Sequence, residues 1–256
     1  MAVAAGCGFV GVTAGVVHAA SPQVTAAAAI ATAEEMWKNA SSSCDHQNCV
    51  DYLTTLLETY PSQSEALWRL ARAKYNVADY ETDKTKKKAL LDESLAHAQQ
   101  AVDADNTNFA AHKWYGIILS EIGDLVDTKT KLSNAYVIRD CFTKATELNP
   151  KDGNSRHLLG RWYFAFSELS WIERKVAGAL FGAVPAATYE EAYDHFLTAE
   201  NMQPGFWIAN WVMLGKTCLR MKKAEEAKEW LTKAATAKGT SNDDQANIAE
   251  AKTLLK

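Results

Sequence analysis

Three groups of side chains in this 256-residue chain are of types that do chemistry elsewhere. Gly215-Lys216-Thr217 has the tail of a phosphate-binding loop, where lysine reaches the phosphates and the threonine hydroxyl a magnesium ion. That motif wants glycine at position 210, which is Asn210 here, and a strand before it. The triplet therefore reads as helix, with Gly215 kept small for packing. Cys44, His46 and Cys49 around Asp45 would supply three zinc ligands and lack a fourth. The serine run from Ser41 to Ser43 makes a solvent-exposed interhelical loop the plainer reading. His112, His157 and His195 fall where helices pack or half expose them, with no nucleophile or paired carboxylate at helical spacing. No catalytic residue, metal or cofactor is expected; the chain reads as non-enzymatic.

Two further features point to binding. Lys84, Lys86, Lys87 and Lys88 form a cationic cluster after Glu81 and Asp83. Lysines in a first helical turn oppose the macrodipole. A solvated charge run accounts for them; so does attraction to an acidic polymer, which salt would weaken. Arg161, Arg174 and Lys175 would add a second patch. The other feature lies between Phe166 and Thr188: Trp171, Ile172, Val176, Leu180 and Phe181, with Val176 to Ala187 uncharged. Burial over a helical groove is the plainer expectation. A wall of a peptide or ligand channel and a membrane-touching helix are the alternatives. Trp114, Trp207 and Trp211 are expected in interhelix core.

The elements that position these residues repeat. Ala192, Phe196, Ala199 and Pro204 carry the spacing of the second helix of a tetratricopeptide unit, and Ile138, Phe142, Ala145 and Pro150 match it. Weaker copies are Ser94, Ala98, Ala101, Asn106 and Ala227, Leu231, Ala234, Gly239. Small residues let antiparallel helices approach, and the large one fills the gap between pairs. First helices show Leu159-Gly160 with Tyr163, Tyr115-Gly116 with Leu119, and Leu214-Gly215 with Cys218; Ala71-Arg72 with Tyr75 is degenerate.

Four units follow, about 64–106, 108–150, 153–204 and 207–239. The small residue of helix one precedes that of helix two by 12 positions in the last, 22 in the first two and 32 in the third. Ten extra residues make nearly three helical turns, so lengthened helices are expected, with a hydrophobic insertion in the third unit. An Ala-rich helix from Thr25 to Asn39, a helix ending at Pro61 and a final helix capped by Ser241 to Asp244 should cover the ends. The expected fold is all-α: a tetratricopeptide-like solenoid of antiparallel helix pairs, with 25–256 as one helical-repeat domain.

Composition agrees. Proline is sparse, five in all, and 48% of the residues are hydrophobic. A net charge of −4 does not advertise nucleic acid as a partner. Five irregularly spaced cysteines do not look like a disulfide framework and point to a reducing compartment. The first 33 residues lack Asp, Glu, Lys and Arg. Segment 1–24 lacks the basic start of a signal peptide and reads as a membrane-leaning anchor or a targeting remnant.

Leu67-Trp68-Arg69-Leu70-Ala71-Arg72-Ala73, Ala111-His112-Lys113-Trp114-Tyr115-Gly116 and Glu147-Leu148-Asn149-Pro150-Lys151-Asp152 are similar to a known family. With Ala187-Thr188-Tyr189-Glu190 and Met213-Leu214-Gly215-Lys216-Thr217, they resemble the regulator of microtubule dynamics family from about residue 25 to the end. The resemblance implies cytoplasmic, spindle-associated or mitochondrial proteins that bind microtubules and support chromosome segregation. It also implies relatives anchored in membranes at organelle contacts, so lipid or hydrophobic-ligand binding at such contacts is the alternative function. Peptide or protein tails in the groove are the expected further partners.

Overall fold

The computed structural model describes residues 26–181 and 187–256, the side chains of Leu180 and Phe181 excepted. Segment 1–24 lies outside the described residues. The described chain is helical, with no strand among the described residues. In order the helices are α1 (Ala26–Asn39), α2 (Ser43–Thr59), α3 (Ser64–Asp79), α4 (Lys84–Ala104), α5 (Phe109–Gly123) and α6 (Thr128–Leu148). There follow α7 (Gly153–Ser167), α8 (Trp171–Phe181), α9 (Tyr189–Met202), α10 (Ile208–Arg220), α11 (Ala224–Ala235) and α12 (Asn242–Leu254). They divide into two compact units, Met1–Leu125 and Val126–Lys256.

In the first unit α3 and α4 pack most closely. Ser94, Ala98 and Ala101 on α4 are fully buried in the seam, as the small-residue spacing requires. Ser94 Oγ donates to the Ala71 carbonyl at 2.6 Å, and Ser64 Oγ to the Ala101 carbonyl at 2.8 Å, so both buried hydroxyls are satisfied across the pair. Cys49 and Leu53 of α2 pack on Ala66, Leu70 and Ala73 of α3, with Ala33 of α1 closing the end.

Arg72 occupies the slot where other first helices carry glycine, and it is buried. Its guanidinium lies 3.8 Å from the Trp37 ring centre and 5.0 Å from that of Trp68. Its Nη2 and the Nε of Arg69 both donate to Glu34 Oε2 at 2.9 Å. Burial works against the Glu34 charge, but Arg72 and then Arg69 outweigh it and hold the carboxyl below its usual range.

In the second unit, α7 packs on α9 and α10 on α11. A Cβ at Gly160 would come within 2.8 Å of the Phe196 ring, and one at Gly215 within 2.5 Å of Leu231 Cγ. The small residue of each first helix therefore receives the large residue of its partner. Helix α12 lays Ile248 and Ala251 on Ile208, Val212 and Leu231, as a terminal cover should.

The two ten-residue surpluses are continuous helix: α4 and α6 each run 21 residues. Asp83 accepts from the amides of Thr85 and Lys86, and Asp127 from those of Lys129 and Thr130, which sets both early starts. The third surplus differs, because it forms the separate helix α8. Helix α7 stops at Ser167; then the Ser170 amide donates to Glu173 Oε2 at 2.7 Å and the Glu173 amide to Ser170 Oγ at 3.3 Å. That reciprocal cap starts a new helix where lengthening would have continued the old one.

Candidate functional site

The lysine cluster forms the first turn of α4, and the structure splits it. Lys84 and Lys86 are exposed. Lys87 Nζ sits 2.8 Å from Glu121 and 3.5 Å from Asp79, and the Glu121 hydrogen bond foremost raises its pKa. Lys88 pairs with Asp92 at 2.7 Å. Two of the four ammonium groups are therefore already neutralised within the chain, and Asp83 is committed to capping. Lys84 and Lys86 are the pair left facing solvent.

The second basic group is also divided. Arg161 is exposed on α7. Arg174 is turned inward: its Nε donates to the Leu169 carbonyl at 3.2 Å and its Nη2 to the Phe166 carbonyl at 3.0 Å. It ties α8 to the end of α7 and does not act as a surface cation. Lys175 Nζ lies 4.0 Å from the Trp171 ring centre. The expected burial does not hold for Trp171, Ile172 and Val176, which are 67%, 66% and 42% exposed. Among the described side chains of α8, Ala177 is the buried one. Leu180 and Phe181 belong to α8, but their side chains lie outside the described residues.

Cys44, His46 and Cys49 are not in a loop. Ser42 and Asp45 form a capping box that starts α2 at Ser43, which the serine run had concealed. Cys44 is exposed, while Cys49 and His46 are buried. Among the described residues, no group of three or more His, Cys, Asp or Glu is placed to hold a metal ion. His157 is buried between Phe196 and Trp207 with Nδ1 at 2.8 Å from Asn210 Oδ1. Burial foremost pushes its imidazole down to about 3. Burial likewise lowers His195, and His112 faces the Asn106 carbonyl at 2.9 Å. Trp207 thus belongs to the interhelix packing, as does Trp211.

One site escaped the sequence reading. In the first unit a cleft of about 320 Å³ is lined by Trp37 and Lys38 of α1, His46 of α2, and Asn76 and Asp79 of α3, with Tyr80 at its edge. No spacing rule links these positions, which converge only once three helices have packed. Trp37 Nε1 and His46 Nδ1 are buried in its walls without a hydrogen-bond partner among the described residues. Burial holds the His46 imidazole below its ordinary value, against the opposing pull of Asp45. Rings, an amide and a carboxylate around a cleft of this size suit a side chain of a bound peptide.

A family model described as Regulator of microtubule dynamics protein 1-3 matches residues 29–256. The chain belongs to the regulator of microtubule dynamics family. Regulator of microtubule dynamics protein 1 of Pongo abelii is 40% identical over 230 residues, 89% of this chain and 73% of that protein. Its counterpart in Rattus norvegicus is 43% identical over 189 residues, 73% of this chain and 61% of that one. Regulator of microtubule dynamics protein 3 of the same species is 33% identical, and the match spans only 40% of its length. Among solved structures, a thermophilic TPR protein of Thermus thermophilus matches with a TM-score of 0.60 at 14% identity, over 89% of this chain and 99% of that one. Pseudomonas aeruginosa pilF gives 0.59 at 13% identity, over 90% of each chain. At such identities these two establish the tetratricopeptide-like fold of the family member and nothing of its partners.

Proposed function

We propose that this regulator of microtubule dynamics family member is a non-enzymatic, microtubule-associated adaptor. It would act in the cytoplasm at the cytoskeleton and spindle, in support of microtubule dynamics and chromosome segregation, with a mitochondrial association as a further location. The observation that carries the reading is the family match across residues 29–256, with relatives named for the regulation of microtubule dynamics. Lys84 and Lys86 support it as the solvent-facing cations for an acidic surface such as tubulin's, and the cleft beside Trp37 supports a peptide or protein tail as a second partner. Co-pelleting with polymerised tubulin across a salt series tests it. Binding at low salt that fades as salt rises is expected; no pelleting at low salt sinks the microtubule part.

A second reading is favoured by the outward face of α8: a protein that binds lipid or another hydrophobic ligand and tethers organelles. Native mass spectrometry of the purified chain separates the two. Retained lipid supports this reading, and a ligand-free mass counts against it.

A further inference from the structure

We propose that the outward face of α8 is a membrane-contact surface that seats in the interfacial layer of a lipid bilayer. This deepens the second reading above, on which it rests, and does not depend on the microtubule reading. Trp171, Ile172 and Val176 are all exposed on this one helix, whereas the other exposed large apolar side chains among the described residues stand singly on their elements. Scattered exposed apolar residues need no explanation, but a contiguous set does.

The helical geometry gathers them. At 3.6 residues per turn, Trp171, Lys175, Ala179, Ile172 and Val176 fall in that order within an arc of about 140°. All five are exposed. The opposite side carries Ala177, fully buried, and Arg174, fastened to the carbonyls of Phe166 and Leu169. Glu173 lies outside the arc and caps Ser170. The helix is thus held at Ala177 and Arg174 while this arc faces outward.

The chemistry of the arc selects a bilayer over a protein partner. It contains no acidic residue, and its single charge is Lys175, whose ammonium rests 4.0 Å from the Trp171 ring centre. A lysine that lays its ammonium over an exposed indole ring suits a headgroup boundary, where cationic and amphipathic side chains gather. The centre of a protein interface is instead depleted in lysine. A tryptophan with an amphipathic ring is the residue enriched at that boundary. No helix among the described residues is long and apolar enough to cross a membrane, so the contact is one that lies on the surface.

Co-flotation of the full chain with phosphatidylcholine vesicles, with and without phosphatidylserine and with no tubulin present, tests this. The comparison is the double variant Trp171→Ser/Ile172→Ser, whose replaced side chains are exposed, so its circular dichroism melt should match the parent. The parent is expected to float, more strongly with phosphatidylserine because of Lys175. The double variant should float roughly tenfold less or worse, since seating one large apolar side chain contributes about that factor. In Trp171→Phe, brominated lipid should quench less of the tryptophan emission than in the parent. A parent that stays with the unbound protein on both vesicle types overturns the proposal. So does a double variant that floats as well as the parent, because the contact would then lie elsewhere in the chain. A parent dimer in sedimentation that the double variant abolishes, without flotation, also overturns it by assigning the face to a second copy.

Discussion

His157 and Asn210 fix each other's orientation in the second unit. Asn210 Nδ2 donates to the Phe196 carbonyl at 3.0 Å, so the carboxamide turns its oxygen to the imidazole at 2.8 Å. An oxygen can only accept, and His157 Nδ1 therefore carries the ring proton. The position at which a phosphate-binding loop would need glycine is instead occupied by the side chain that orients this histidine.

The first prediction follows from that burial. The folded pKa of His157 is pushed from 6.5 down to about 3, so between those values the unfolded chain binds more protons. The stability it contributes is present above pH 6.5 and is lost as pH falls towards 3. The slope should reach at most about 1.4 kcal/mol per pH unit. Urea unfolding across that range should show the slope, and His157→Gln should flatten it.

Gly160 and Gly215 should resist enlargement. A methyl group at either would strike Phe196 or Leu231 at less than 3 Å. Gly215→Ala is expected to lower stability by about 1–3 kcal/mol through overpacking, and the thermal midpoint would read it out. A melt equal to the parent's would mean that the α10–α11 seam relaxes freely.

Arg72 should behave as the opposite case. Arg72→Gly restores the small residue of the repeat, yet it removes a guanidinium lying against two indoles and strips Glu34 of a partner. A loss of about 3 kcal/mol is expected, mainly from the emptied space between the two indoles and a glycine placed inside the helix, since Glu34 keeps Arg69. Arg72→Lys should recover little of it, because an ammonium cannot stack and donate in the same fork. Denaturant midpoints of the two variants decide this.

Lys84 and Lys86 should separate from Lys87 in two assays. Changing the first two to alanine should move stability by less than about 0.5 kcal/mol, since both are exposed. Lys87→Ala should cost about 1 kcal/mol by breaking the Glu121 and Asp79 contacts. Reversal of Lys84 and Lys86 to Glu should weaken co-pelleting with tubulin while leaving the melt in place. Equal pelleting would remove the lysine turn from the binding surface.

Much of the fold was legible because its spacing is set by local physics. The four second-helix registers, the continuous lengthening of α4 and α6, and the cover of α12 all follow from helical period and capping residues. Three features were hidden for identifiable reasons. Arg72 looked like a degraded glycine because its use depends on Trp37 and Glu34 from α1, more than thirty residues earlier in the chain. The cleft beside Trp37 has no linear pattern, since three helices supply it. The exposure of Trp171 and Ile172 contradicts their hydropathy, and it follows from the inward commitment of Arg174 and the burial of Ala177.

The insertion also has tied feet. Glu168 ends α7 and Tyr189 begins α9; the tyrosine hydroxyl donates to the Glu168 carboxylate, which Arg220 of α10 grips at 2.7 and 2.9 Å. A chain excursion pinched shut at its base can lengthen, shorten or change composition at a small entropic cost, because closing the loop depends only weakly on its length. Natural variation in this segment can therefore proceed without disturbing the rods on either side, which makes it a place where related chains can diverge in what they touch while keeping the same frame.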